Sequence, residues 1–199
     1  MEKIQITIKH ILDKIIGFIL LLITTPIFLI ISIGIKLTSR GPVFFIQKRV
    51  GKDGKDFDIY KFRTMIQNAE NIGTGIYTEE KDPRITNIGR ILRKTSLDEL
   101  PQLFNILKGD MSIIGPRPTL RYQVEKYTPH QMQRLKMRPG VTGLAQVRGR
   151  NSLPWDKRIE YDVEYINNYS LWLDFKIVLK TIKVVLTAEG VYGKRDEIM

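Results

Sequence analysis

The chain has 199 residues, a formal net charge of +11 and no cysteine, which suits one domain of moderate size with an appendage and leaves little room for two independent domains. Without cysteine, disulfides and thiolate metal sites are excluded, and His10 and His130 alone argue against a zinc centre, whereas a hard cation on oxygen ligands remains allowed. A pI near 9.8 calls for an anionic partner: nucleic acid, an acidic membrane surface or a phosphorylated small molecule.

In chain order, Ile4, Ile8, Ile11, Leu12 and Ile15 fall on one helical face among lysines, which predicts a helix that begins at a membrane interface. The following stretch, "IIGFILLLITTPIFLIISIGI" (15–35), is uncharged over 21 residues; as a continuous helix it would reach ~31 Å, the thickness of a bilayer's hydrocarbon core. It is too long for a cleaved signal peptide and no small-residue cleavage site follows it. Pro26 deletes a helical hydrogen bond in its middle. Two readings follow: a spanning helix with a kink, or a helix that turns back at Thr25-Pro26. Lys3, Lys9 and Lys14 precede the run and Lys36, Arg40, Lys48 and Arg49 follow it; positive flanks on both sides favour two cytoplasmic ends, and so favour re-entry.

"KLTSRGPV" then leads into water, and "VFFIQKRVGKDGKDFDIYKFRTM" reads as a β-hairpin about Asp53-Gly54. Residues 66–82 read as a loop, Leu97 to Leu107 as a short helix, Arg121 to Met137 as helix, and "RPGVTGLAQVRGRN" as a glycine-punctuated loop. Leu171, Phe175, Val178, Leu179, Ile182, Val185 and Leu186 share one side of a last helix, opposite Lys176, Lys180 and Lys183. That face either packs on the core or lies in a membrane interface. There is no internal repeat and no low-complexity linker.

The stretch "TSLDELPQL" (95–103) sets Asp98 and Glu99 side by side after Arg84, Arg90, Arg93 and Lys94. Helix capping explains acids there, since Ser96-x-x-Glu99 fits a capping box. Pro101 conflicts with a helix capped by Ser96, and a helix starting at or just before Asp98 removes the conflict. The functional alternative is nucleophilic: an ionised carboxylate attacks phosphorus once the phosphate's charge is neutralised by arginine forks and a divalent cation. Arg84, Arg90, Arg93, Arg117, Arg138, Arg148 and Arg150 supply such forks. Adjacent helical residues point ~100° apart, so one acid can attack while the other holds a metal. "GPRP" (115–118) stiffens Arg117 between prolines, and "RPGVTG" is either ordinary turns or a nest of backbone N–H groups for an anion.

Taken together, "VGKDGKDFDIYKFRTM", "DPRITNIGRILRKTSLDELPQLFNILKGDMSIIGPRP", "RPGVTGLAQVRGRN" and "YDVEYINNYSLWLDFKIVLKTI" resemble the bacterial sugar transferases known as monotopic polyprenyl-phosphate phosphoglycosyltransferases, over about residues 8 to 187. The resemblance implies transfer of a phosphosugar from a UDP-sugar to polyprenyl (undecaprenyl) phosphate at the cytoplasmic face of the bacterial inner membrane, opening glycoconjugate assembly. It implies a re-entrant helix broken at a Ser/Thr-Pro pair, here Thr25-Pro26, with Asp98 as nucleophile and Glu99 as a Mg²⁺ ligand. Lys61, Arg63, Arg93, Arg117 and Asp174 match positions in or near the family's active site, and Arg138, Gln146 and Arg150 fall by the diphosphate or nucleotide. With no cluster of membrane helices before the catalytic part, the chain resembles the minimal members. The segments "IQNAENIGTGIYTEEK" and "EGVYGKRDEIM" match nothing assignable, so the sugar stays open.

The resulting expectation is an α+β protein: residues 1–38 as a re-entrant membrane helix, and 39–199 as a mostly helical cytosolic catalytic domain with a small β-hairpin and amphipathic interfacial helices. Its expected partners are a UDP-sugar, a polyprenyl phosphate and membrane lipids, with a homodimer allowed and no nucleic acid. Two other classes compete: a membrane-tethered basic nucleic-acid-binding module, against which no aromatics interleave with a basic face, and a non-catalytic scaffold.

Overall fold

The amphipathic start and the apolar run form one helix, α1 (Glu2–Thr38), which as a straight rod would be ~55 Å long. The computed structural model describes residues 2–72 and 82–187; most of the unassigned 66–81 segment and all of the 189–199 tail lie outside the described residues. α1 continues through Thr25-Pro26, so helix stands on both sides of the expected break. Thr24 and Thr25 donate their hydroxyls to the carbonyls of Leu20 and Leu21, at 2.7 and 2.8 Å, which keeps side-chain polar groups satisfied beside the proline. Among the described residues α1 is the one helix long and apolar enough to cross a membrane.

The next strands, β1 (Phe44–Val50) and β2 (Asp56–Phe62), pair antiparallel from Phe44↔Phe62 to Val50↔Asp56. As the Asp53-Gly54 signal predicts, both residues take left-handed backbone (φ 56 and 73) and close a tight hairpin turn. Buried Asn105 fixes this hairpin: its Oδ1 accepts from the Tyr60 N–H at 3.1 Å and its Nδ2 donates to the Asp58 carbonyl at 2.7 Å. Helix α2 (Asn87–Thr95) is capped by Thr86, which accepts from the Gly89 N–H at 3.0 Å. Gly89 lets α2 lie directly on the end of β2, because a Cβ there would sit 2.0 Å from the Thr64 carbonyl oxygen.

The helix expected over 97–107 is divided. A single 3₁₀ turn, Leu97–Glu99, carries the two acids, and α3 (Gln102–Lys108) starts after Pro101. Pro101 lies at the join, where its missing N–H costs nothing. Ser96 adopts φ +58 and makes no capping hydrogen bond, so the capping box is not formed. The predicted 121–137 helix is likewise interrupted at Pro129, leaving α4 (Arg121–Val124) and a 3₁₀ segment, Gln131–Lys136. Strands β3 (Ser112–Ile114) and β4 (Gly140–Thr142) pair in parallel, Ser112↔Gly140 and Ile114↔Thr142. The glycine-punctuated stretch therefore holds β4 and α5 (Leu144–Val147) as well as turns. The chain finishes with α6 (Trp155–Asn167) and α7 (Leu171–Thr187). Helices with two small sheets fit the expected α+β class.

Packing makes α1 part of the fold along its length. Ile6 packs with Ile114, Tyr165 and Ile177; Leu21 with Ile59, Leu103 and Ile106; and Phe28, Ile31 and Ile35 with Phe62 and Leu92. Polar contacts fix its first turns: Lys9 pairs with Asp174 on α7 at 2.7 Å, and Asp13 accepts from the Ile113 N–H at 3.1 Å. The opposite side of α1 leaves Phe18, Leu22, Ile23, Leu29 and Ile30 exposed. On α7 only Asp174 and Ile177 are buried, while Trp172, Phe175, Leu179, Ile182 and Leu186 are exposed, so most of its apolar face is not core.

Candidate active site

The turn that carries Asp98 and Glu99 forms part of the wall of a cleft of about 820 Å³. Glu99 is nearly enclosed, its side chain 12% exposed, and its Oε1 accepts from both Lys61 Nζ at 2.7 Å and Arg117 Nη2 at 3.0 Å. Burial alone would raise its pKa, but the Lys61 and Arg117 charges outweigh it and hold the carboxyl well below the usual range. Asp98 differs. Burial raises its pKa, Lys61 opposes that shift, and the Glu99 charge adds to it. Lys61, Arg93 and Arg117 act on Asp98 as charges through space, and the Lys61 and Arg117 hydrogen bonds go to Glu99 instead. One acid is thus clamped and ionised, while its neighbour is left with free lone pairs inside a ring of cations.

Local structure explains how these side chains meet. Lys61 comes from β2, and Phe62 beside it turns to the opposite face, stacking on Phe44 with ring centroids 5.5 Å apart. Arg93, in the last turn of α2, donates Nε to Thr64 Oγ1 at 2.8 Å. Arg150 has φ +52 and donates to Ser96 Oγ at 3.2 Å, so two non-glycine residues with left-handed backbone meet beside the dyad. The second amino nitrogen of Arg150, Nη1, is buried with no hydrogen-bond partner, as are both polar atoms of Gln146. Such groups are costly unless a ligand completes them.

Of the residues expected here, Asp98, Glu99, Lys61, Arg63, Arg93, Arg117, Gln146 and Arg150 line this cleft. Arg63, however, holds the segment that follows α1: its Nη2 donates to the Ser39 carbonyl and hydroxyl at 2.9 and 2.8 Å, and Nη1 donates to the Arg40 carbonyl. Arg138 and Asp174 are not in the lining. Asp174 is buried between Lys9 and the Tyr165 hydroxyl, where it anchors α1, and Arg138 packs beside Gly109. Thr25 and Pro26 lie on α1, also outside the lining. Among the remaining arginine forks, Arg84 is buried against Asp82 and Arg148 pairs with Glu164 at 2.7 Å.

Sequence reasoning missed Arg134 and Asp162, a buried ion pair in the cleft wall whose Arg134 Nη2 also donates to the Arg117 carbonyl at 2.9 Å. They are 28 residues apart, and no local pattern pairs them. It also missed Arg49, which lines the cleft and whose place on the same face of the hairpin as Lys61 could have been read from the alternation of Phe45, Gln47 and Arg49.

Residues 4–188 match the model of the bacterial sugar transferase family. The chain belongs to that family. A sugar transferase of Aeromonas hydrophila, UDP-N-acetylgalactosamine-undecaprenyl-phosphate N-acetylgalactosaminephosphotransferase, is 46% identical over 189 residues, covering 92% of this chain and 44% of that protein. The UDP-glucose:undecaprenyl-phosphate glucose-1-phosphate transferase of Xanthomonas campestris pv. campestris is 45% identical over 195 residues, or 94% and 39%. An uncharacterized sugar transferase of Bacillus subtilis, EpsL, is 44% identical over 184 residues and is matched over 90% of its length. The chain therefore spans less than half of the first two relatives and most of the third. The sugars in the relatives' names differ, so family membership does not fix the sugar.

Mg²⁺ is what the sequence resemblance implies for this site. Among the described residues no group of three or more His, Asp or Glu side chains converges, but Mg²⁺ takes only one or two carboxylates when waters and substrate phosphates complete it. Asp98 and Glu99, with both clamping cations on one Glu99 oxygen, fit that kind of site.

Proposed function

We propose that this sugar transferase moves a phosphosugar from a UDP-sugar to undecaprenyl phosphate and releases UMP, through an aspartyl-phosphosugar intermediate on Asp98. One observation carries the reading: a carboxylate that bonds none of the surrounding cations among the described residues, beside a clamped one, facing a cation-lined cleft. The Asp98 carboxylate oxygen bonds to the sugar-bearing phosphorus, the bond from that phosphorus to the UMP oxygen breaks, and UMP leaves with the electron pair. An oxygen of the lipid phosphate then attacks the same phosphorus and expels the carboxylate. The exchange trades one pyrophosphate linkage for another. Arg93, Arg117, Arg150 and Lys61 stabilise charge on the transferring phosphoryl group and on UMP. Mg²⁺, held by Glu99 and substrate phosphate oxygens, would supply further charge neutralisation when bound.

The same reading places the enzyme on the cytoplasmic face of the inner membrane, with α1 entering and leaving on one side. Docking of α1 on the catalytic body both before Pro26, at Lys9 and Asp13, and after it, at Ile31 and Ile35, supports that topology. A helix crossing to the far side would carry one of those ends away.

Intact mass of the protein mixed with Mg²⁺ and UDP-glucose, UDP-galactose or UDP-N-acetylgalactosamine, without lipid phosphate, tests the proposal. A sugar-phosphate adduct with UMP release, absent in Asp98→Asn, is expected. UMP formed only once undecaprenyl phosphate is added, with no adduct, would overturn the two-step route.

A further inference from the structure

Arg49 sits on β1 on the same side of the hairpin as Lys61, and its neighbour Val50 accepts a chain-to-chain tie: the Val50 N–H donates to the Thr119 carbonyl at 2.8 Å. That bridge brings β1 alongside the segment after Arg117. Arg49, Lys61, Glu99 and Arg117 enclose a small annex of about 30 Å³ off the main cleft. In it Arg49 has one side-chain hydrogen bond, Nη2 to Gln47 Oε1 at 2.6 Å, and no carboxylate partner among the described residues. Lys61 and Arg117 share a single Glu99 oxygen, whereas Arg49 bonds neither acid and feels Arg117 as repulsion and Glu99 as a weaker attraction through space. Burial and the Arg117 charge push its guanidinium down to about 10. A half-buried guanidinium that lines the main cleft and bonds no carboxylate among the described residues suits an anionic ligand.

We propose that Arg49 is a phosphate-binding residue for the nucleotide half of the donor, neutralising the phosphate oxygen on which UMP leaves. This rests on the phosphosugar-transfer reading. Two phosphates of different origin react in this cleft, and the order of the two steps separates them. When the Asp98 oxygen attacks, the breaking P–O bond leaves its electron pair on the UMP oxygen. A guanidinium beside that oxygen stabilises the leaving group and has no part in the later attack by lipid phosphate.

The test uses the full chain in detergent with Arg49→Gln and Arg49→Lys. UMP affinity is measured by calorimetry, UMP release in a single turnover without lipid, and consumption of a preformed adduct by undecaprenyl phosphate. Arg49→Gln should bind UMP ~10-fold more weakly and release it ~100-fold more slowly, as for other single oxyanion-stabilising donors. Adduct consumption should stay within ~2-fold, and Arg49→Lys should recover part of the loss because it keeps the charge without the fork. UMP affinity and release both within ~2-fold of wild type would overturn the assignment. So would a loss confined to adduct consumption, which would give Arg49 to the lipid phosphate. If Arg49→Gln fails to fold, Arg49→Met, which also removes the charge, takes its place with the same two outcomes. If the wild type forms no adduct, the two-step route fails, and the UMP affinities still decide the role of Arg49.

Discussion

Replacing Lys9 with methionine removes the cation from a pair whose side chains are only 4% and 9% exposed, 2.7 Å apart, joining the first turns of α1 to α7. The Tyr165 hydroxyl still donates to Asp174 at 2.7 Å, but the charge loses its partner. Breaking a buried pair from one side costs about 3–5 kcal/mol, which in a protein of this size lowers the unfolding midpoint by roughly 6–20 °C. Removing both charges, in Lys9→Met with Asp174→Asn, should recover most of that loss because no uncompensated charge remains. The pH dependence has a fixed sign. Burial already raises the Asp174 pKa and Lys9 opposes it, so without Lys9 the folded value rises further above the unfolded one. Stability linked to a raised carboxyl is present at low pH and lost as pH rises through the folded value, so the Lys9→Met deficit should shrink on acidification. Thermal unfolding in detergent micelles, followed by circular dichroism across pH, measures both effects. A Lys9→Met midpoint within ~2 °C of wild type, or a double variant as unstable as the sum of the singles, would refute the reasoning. A stable double variant without activity would return Asp174 to the catalytic machinery.

Adduct formation needs ionised Asp98, whose pKa burial raises and Lys61 opposes. Its rate should therefore fall on acidification through a value above the ordinary ~4, and Lys61→Met should move that fall to higher pH in single-turnover profiles; an unmoved limb contradicts the assignment. Thr64→Val removes the acceptor for Arg93 Nε and should lower turnover ~5–10-fold, as expected for a hydrogen bond of about 1–1.5 kcal/mol, measured as UMP release at saturating donor. Gly89→Ala forces a Cβ to within 2.0 Å of the Thr64 carbonyl; overpacking of about 1–3 kcal/mol should lower the thermal midpoint by roughly 2–12 °C, and an unchanged midpoint would mean that α2 can slide off β2.

The hairpin and the long apolar helix were legible because their signals are local. Asp53-Gly54 states its own turn, and residues 15–35 their own apolarity. The dyad was legible as two adjacent acids, yet Ser96 misled, because its hydroxyl receives Arg150 from 54 residues away and no helix cap forms. Arg63 and Asp174 sit in motifs that look catalytic, and each also makes a long-range structural contact, Arg63 with the Ser39 and Arg40 carbonyls just after α1 and Asp174 with Lys9 on it. The Ser39 and Lys9 contacts join residues 24 and 165 positions apart. The same distance hides Arg134 and Asp162, and it left β3 and β4 unseen, since three-residue strands carry no periodicity.

Because α1 supplies Ile6, Leu21, Phe28, Ile31 and Ile35 to three separate apolar clusters, the segment that meets the lipid is not a tether that can be cut from a finished enzyme. A fragment starting after Thr38 would expose Phe62 and Ile106 to water. Purified alone, residues 39–199 should elute from gel filtration as aggregate; a monodisperse fragment would show that the body can close without its helix. Solubility and integrity are in conflict here, and a soluble version of this protein would have to be redesigned along the whole α1 groove.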